Sequence, residues 1–235
     1  MDISLKLYYF NGMNILLTND DGYNAIGILL LQKKLSKYGR VVIVAPSKGM
    51  SAKSVAITLG TPLKVSKVED DVYKVEGTPA DCVSFALSSL DIKFDVVVSG
   101  CNAGLNVSYD TVYSGTIGAG IEALTYEVPA IAFSCDKNYD IVEHFFEKVM
   151  DFILSNKLLS NHYLLNVNFP LGEEVKDIVF TDIYYRKENA YFVHQGNDDY
   201  LALRDIHDEN CEEKDTDVYA VYHQMVSISK LNRTF

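Results

Sequence analysis

Two adjacent carboxylates, Asp20 and Asp21, close an apolar run in the stretch I-L-L-T-N-D-D-G, and oxygen-bearing side chains recur behind two further runs of the same kind. Ser51 follows V-V-I-V-A-P, Asn102 and Asn106 lie in the loop C-N-A-G-L-N after F-D-V-V-V-S-G, and Ser114-Gly115-Thr116 stands soon after in Y-S-G-T. Each group has an ordinary reading. Asn-Asp-Asp-Gly suits a turn, because these residues tolerate unusual backbone angles and bond to their own backbone. The loop from Asn102 to Asn106 suits successive left-handed turns, and Ser114 suits a helix N-cap. A sharper reading joins them. Two carboxylates, a serine hydroxyl and an asparagine carbonyl are hard oxygen donors, with no thiolate or imidazole among them. That set suits Mg2+, Mn2+ or Ca2+ rather than Zn2+. So few protein donors leave coordination positions open for water and a phosphate oxygen, which is a catalytic arrangement.

Those donors can meet only if the fold brings several strand ends to one rim. The apolar pattern predicts a strand over about Asn14 to Thr18 and a helix over about Ala25 to Tyr38, where Ile28, Leu31 and Leu35 share a face and Gly39 serves as the stop. A strand follows in R-V-V-I-V-A-P, then hairpins between Val55 and Val75. Thr78-Pro79 opens a helix to about Leu90, with Thr as cap, Pro in the first turn and Asp81 at the positive end. F-D-V-V-V-S-G, P-A-I-A-F-S and Tyr163 to Val167 read as further strands, separated by helices over about Gly115 to Tyr126 and Tyr139 to Ser155. Continuous apolar strands alternating with helices predict an α/β fold: a Rossmann-like, doubly wound, mostly parallel sheet over residues 13–170. In such a sheet ligands bind at the carboxyl ends of the strands, where all these polar loops would lie. Residues 171–235 are expected to form a C-terminal β-rich extension of hairpin and oligomer contacts. Strands are expected there at Tyr184-Tyr185 and Y-F-V-H, with a solvated acidic loop over 205–217 and a closing strand over about 225–229.

Bulk properties narrow the partners. The 235 residues are 48% hydrophobic and 23% charged, as soluble domains are, and their net charge of −11 argues against a polynucleotide partner. No apolar run reaches the roughly 20 residues of a membrane span. The first twelve residues lack the features of a secretory signal, and an ancestral start at Met13 is expected. Cysteines 82, 101, 135 and 211 form no C-x-x-C motif, which fits reduced thiols in a cytoplasmic protein. The five histidines lie outside every motif, against a phosphohistidine route; His194 in Y-F-V-H-Q is the one whose strand-edge position could line a pocket.

Taken in order, I-L-L-T-N-D-D-G, V-A-P-x-x-x-x-S, G-T-P-A-D-C-V (Gly77 to Val83), V-S-G-x-N-x-G-x-N (Val98 to Asn106), Y-S-G-T (Tyr113 to Thr116), N-V-N-F-P (Asn166 to Pro170) and T-D-x-x-A from Thr216 resemble the SurE (survival protein E) nucleotidases. The resemblance implies a cytoplasmic, divalent-metal-dependent phosphatase of nucleoside 5′- and 3′-monophosphates, with short polyphosphate as a further substrate, assembled as a homodimer or homotetramer. By motif position it implies one cation per subunit, Mg2+ or Mn2+ (Ca2+ in crystals), on Asp20, Asp21, Ser51 and Asn102. The expected mechanism is in-line attack by water. Asp20 and Asp21 are the catalytic carboxylates, backbone N–H groups of Ser114, Gly115 and Thr116 form the anion site, and Asn106 adds a side-chain donor. Two rivals remain open. An aspartyl-phosphate enzyme would need D-x-D-x-T, and a non-catalytic nucleotide-binding module would be expected to carry G-x-G-x-x-G; the chain has neither.

Overall fold

In the computed structural model, which describes residues 12–185, 190–204 and 211–232, six parallel strands form the centre of a nine-stranded sheet. The first is β1 (Met13–Thr18), with β2 (Gly39–Pro46) and β4 (Val72–Val75) on one side. On its other side lie β5 (Val96–Ala103), β6 (Ala130–Cys135) and β7 (Tyr163–Asn168). The chain therefore builds outward from β1 in one direction and then reverses, and the topological switch point falls between β1 and β5. A crevice at the carboxyl ends of those two strands is where open α/β sheets bind ligands. β3 (Val65–Glu69) adds antiparallel to β4 and closes that edge.

Strict alternation along each strand explains the three layers. Ile15 and Leu17 point to one face of the sheet, Leu16 to the other; Val96 and Val98 oppose Val97 in the same way. The first face is covered by α1 (Ile26–Leu35) and α5 (Tyr139–Ser155), through Ile28, Leu31 and Leu35 from one helix and Phe146, Val149 and Ile153 from the other. α2 (Pro79–Ser89) and α4 (Gly115–Thr125) cover the second face with Cys82, Val83, Ile117 and Leu124. α2 starts as its residues predict. Thr78 accepts from the Asp81 N–H at 3.1 Å while Asp81 accepts from the Thr78 N–H at 2.8 Å, a reciprocal capping box. A four-residue helix, α3 (Asp110–Tyr113), lies between β5 and α4, in a stretch expected to be loop.

Two expectations are corrected. Gly39 is not the stop of α1, which ends at Leu35 with Ser36 as cap; it opens β2, where a Cβ would lie 1.9 Å from the Met13 carbonyl oxygen. Tyr184 and Tyr185 belong to no strand. The expected closing strand is present and longer: β11 runs Met225–Asn232 and pairs antiparallel with β7 and parallel with β8 (Asp177–Phe180), so the C-terminal β-rich extension joins the main sheet. Its inward Val226 and Ile228 join the core facing α5, and this burial is what draws it into the sheet. Between them in the chain, β9 (Ala190–Gly196) and β10 (Asp199–Arg204) form a separate two-stranded hairpin. The acidic stretch lies partly outside the described residues, and a short helix, α6 (Asp217–Tyr222), follows it with Thr216 as N-cap.

Candidate active site

Asp20 and Asp21 sit in the turn that leaves β1. Asn19 closes that turn by donating its Nδ2 to the Gly22 carbonyl (2.9 Å) and accepting the Gly22 N–H at Oδ1 (3.1 Å), so the turn reading of Asn-Asp-Asp-Gly is correct as far as the backbone goes. The turn's two carboxylates then take different partners. Asp20 turns toward the face that carries α4. Its Oδ1 accepts the Thr116 hydroxyl at 2.7 Å, and only 4% of the residue is exposed. Asp21 reaches across to β5, where its Oδ2 accepts the Ala103 N–H at 3.2 Å, beside Asn102.

The loop after β2 is fastened to the same turn. The Met50 N–H donates to the Asp20 carbonyl at 2.7 Å and the Tyr23 N–H to the Pro46 carbonyl at 2.9 Å. Ser51 therefore follows immediately on a residue held against Asp20, and it is exposed. Asn102 is presented by an irregularity in β5. The register against β6 shifts between Ser99 and Asn102, at Gly100, whose φ of 129° a side chain would resist and whose Cβ would meet the Phe133 carbonyl oxygen at 2.2 Å. The Asn102 Nδ2 donates to the Gly104 carbonyl at 2.8 Å, which orients the amide, and the described residues offer its Oδ1 no donor.

The turn of Asp20 and Asp21 is thus tied to the loop of Ser51 through Met50, and to β5 through Ala103, the neighbour of Asn102. The residues expected to hold the anion divide differently. The Ser114 N–H, expected to face a phosphate, goes instead to the Asp110 carbonyl at 3.0 Å, because α3 ends there. The Ser114 Oγ caps α4 by accepting the Ile117 N–H at 3.2 Å. The backbone and hydroxyl of Thr116 both serve the Asp20 carboxylate. Gly115 packs flat against it: a Cβ there would stand 3.0 Å from the Asp20 Cβ and 3.2 Å from Oδ2. None of the described hydrogen bonds uses the Gly115 amide. Asn106 is 4% exposed, and its Nδ2 donates to Ser134 Oγ at 2.8 Å, so one side-chain N–H is left for the substrate role expected of it. His194 stands on the β9–β10 hairpin with its ring 5.0 Å from that of Tyr200, and His207 lies outside the described residues.

Sequence reasoning missed the supports. Asn166 and Asn168 on β7 both donate to the Asn106 carbonyl (2.8 and 3.1 Å), and Asn168 Oδ1 accepts the Asn106 N–H at 2.8 Å; N-V-N-F-P was the signal, since alternate asparagines on a buried strand need partners. Thr116 was read for its amide, not for the hydroxyl that holds Asp20.

Electrostatics mark the same place. Burial pushes the Asp20 carboxyl up to about 6; the Thr116 hydroxyl opposes this, and the Asp21 charge adds to it. A buried carboxylate beside a second carboxylate, with a hard amide oxygen nearby, fits a divalent cation, whose charge would offset both. Among the described residues no three His, Cys, Asp or Glu side chains gather as a metal cage, so neutral oxygens must complete any such site. Thr116→Val, nearly isosteric, is expected to lower phosphate release about 10- to 100-fold by freeing Asp20, the usual effect of losing a ligand's supporting partner, while Thr116→Ser keeps most of it. Steady-state assays of both variants check this.

Comparison with known proteins agrees with the geometry. The family model of Survival protein SurE matches residues 15–190. The chain belongs to the SurE family. SurE relatives with the name 5′-nucleotidase SurE include those of Histophilus somni (37% identical over 231 residues, 93% of this chain and 92% of that one), Clostridium botulinum strain ATCC 19397 (38% over 237 residues, 94% and 93%) and Actinobacillus succinogenes (39% over 229 residues, 93% and 92%). A crystal structure of the SurE protein from Aquifex aeolicus superimposes with a TM-score of 0.80 at 35% identity, covering 94% of each chain. The Rossmann-like α/β architecture of this SurE chain is thus shared over nearly its whole length.

Proposed function

We propose that this chain is a metal-dependent phosphomonoesterase that converts nucleoside 5′-monophosphates, and 3′-monophosphates, to nucleoside and phosphate. The observation that carries the reading is the Asp20–Asp21 pair at the switch point, one carboxylate buried against Thr116 and the other turned to the loop of Asn102. The 5′-nucleotidase names of relatives 35–39% identical over most of the chain support the substrate class.

Asp20, Asp21, Ser51 and Asn102 would hold one Mg2+ or Mn2+. Such a cation, when bound, supplies charge neutralisation to the phosphate and acidity to the attacking water. The protein supplies the rest. Thr116 fixes Asp20 so that its other oxygen stays available, and Gly115 leaves room for that oxygen by lacking a side chain. The Gly115 amide at the start of α4, which none of the described hydrogen bonds uses, would meet charge developing on the phosphate. Asp20 or Asp21 takes the proton of the attacking water.

Release of inorganic phosphate from 5′-AMP is the test. Release with Mg2+ or Mn2+ is expected to fall at least a hundredfold on adding EDTA and to return with metal; release indifferent to EDTA, or none from any monophosphate, overturns the reading. A panel with 3′-AMP and tripolyphosphate fixes its breadth. We place the contacts of a homodimer or homotetramer on the β9–β10 hairpin. Phe192, Tyr200 and Leu201 there are 68, 62 and 50% exposed, and a lone hairpin is marginally stable without a cover. Light scattering on the intact protein should show two or four subunits, and a monomer at micromolar concentration refutes that contact. Cytoplasmic location is the remaining part of the proposal. The four cysteines are free and buried, and among the described residues no helix is long and apolar enough to cross a membrane. Activity confined to the membrane or periplasmic fraction of cells would refute it.

A further inference from the structure

The motif T-D-x-x-A is not used by the mechanism above, yet its aspartate is fully buried. Asp217 accepts the Ser108 N–H at Oδ2 (2.8 Å), and at Oδ1 the N–H groups of Tyr184 (2.9 Å) and Val218 (2.8 Å). Ser108 lies in the connection 104–114, which joins Asn102 at one end to Ser114, Gly115 and Thr116 at the other. Its φ of 51° is left-handed, a conformation that costs a serine free energy and persists only when its surroundings enforce it. Those surroundings are the Asp217 carboxylate on the amide and the Thr111 hydroxyl, which donates to the Ser108 carbonyl at 2.7 Å. Val107, beside Ser108, packs with Val218 and Val221 of α6 in a small apolar cluster of its own. Along the connection Asn106 is anchored through Asn166 and Asn168 of β7, Ser108 through Asp217, and Tyr113 through the Ser54 N–H.

We propose that Asp217 is a positioning residue for the active site: it holds Ser108 left-handed and so sets the path of the connection that spaces Asn102 from Gly115 and Thr116. The inference rests on the reading of those residues as the site. A carboxylate is required because both of its oxygens face amide donors; an asparagine would set its own NH2 against an N–H.

Two readouts on the intact protein separate the clamp from the function. Hydrogen exchange of peptides spanning 104–113 reports the connection, and Mn2+ titration reports the site. Asp217→Asn, folded by near-ultraviolet circular dichroism, is expected to exchange faster there and to bind Mn2+ about tenfold more weakly, the scale of losing a ligand's outer support. Glycine adopts the left-handed conformation at no steric cost. Ser108→Gly added to Asp217→Asn should therefore bring Mn2+ affinity back to within about threefold of wild type. If Asp217→Asn fails to fold, Asp217→Glu, which keeps the charge but displaces it by one methylene, is expected to show the same two changes. Unchanged exchange overturns the proposal, as does faster exchange with unchanged Mn2+ affinity or a loss that Ser108→Gly does not recover. If wild-type protein binds no Mn2+, the metal reading fails, and exchange alone judges the clamp: faster in Asp217→Asn and slowed again by Ser108→Gly upholds it, unchanged overturns it.

Discussion

Asp20→Asn is expected to reduce metal-dependent phosphate release by more than about a hundredfold, beyond the 10- to 100-fold typical of losing a supporting partner, and at the same time to stabilise the metal-free protein. Both effects have one cause. Burial raises the Asp20 carboxyl from 3.8 to about 6, with Asp21 adding to the shift. An acid whose pKa is higher in the folded than in the unfolded state binds its proton more tightly in the fold. Its contribution is therefore full below about pH 4 and is lost as pH rises through about 6. At pH 7 without metal the charged form costs the fold up to about 3 kcal/mol, from a shift of about two units. Asparagine can still accept the Thr116 hydroxyl and carries no charge, so it avoids that cost. In EDTA at pH 7 the variant should melt several degrees above wild type, and the gap should close on acidification toward pH 4. Added Mg2+ or Mn2+ should raise the melting temperature of wild type, since a ligand bound only by the fold stabilises it, and leave the variant nearly unmoved. A fully active Asp20→Asn protein, or equal melting of both across that pH range in EDTA, would refute the assignment.

Gly118→Ala should be the most damaging single methyl in the molecule's second layer. A Cβ at Gly118 would stand 1.9 Å from the Ser54 carbonyl oxygen and 2.3 Å from its carbon, and these are backbone atoms that no rotamer change can move aside. Ser54 is itself left-handed, with a φ of 50°, and its N–H donates to the Tyr113 carbonyl at 2.9 Å. The methyl must therefore displace the segment that carries Ser51 from the start of α4. Overpacking of this kind costs about 1–3 kcal/mol. For a chain of this length that lowers the melting temperature by about 3–10 °C. Activity should fall further than stability explains, because Ser51 is displaced even in molecules that remain folded. Thermal denaturation alongside assays well below the melting transition separates the two losses. Wild-type activity in Gly118→Ala would show that the loop after β2 has no part in the site.

The two variants also mark what could be read without a structure. Asp20 announced itself by type and place, as a carboxylate where an apolar strand stops. Nothing about Gly118 did so, because its importance lies in the carbonyl of Ser54, more than sixty positions away in the chain.

The residues alone determined the alternation of strands and helices over residues 13–170, α3 excepted, the doubly wound α/β class and where the candidate oxygen donors stand behind the strand ends. These follow from hydrophobic periodicity and from donor chemistry, both local properties. Tertiary structure alone decided the pairings. It placed Thr116 on Asp20 across 96 positions and Ser108 on Asp217 across 109, gave the Ser114 amide to α3, buried Asn106 among the asparagines of β7, and drew β11 into the main sheet. A hydrogen bond needs its partner within about 3 Å in a favourable direction, and only the packed sheet and helices fix such distances between segments so far apart in the chain.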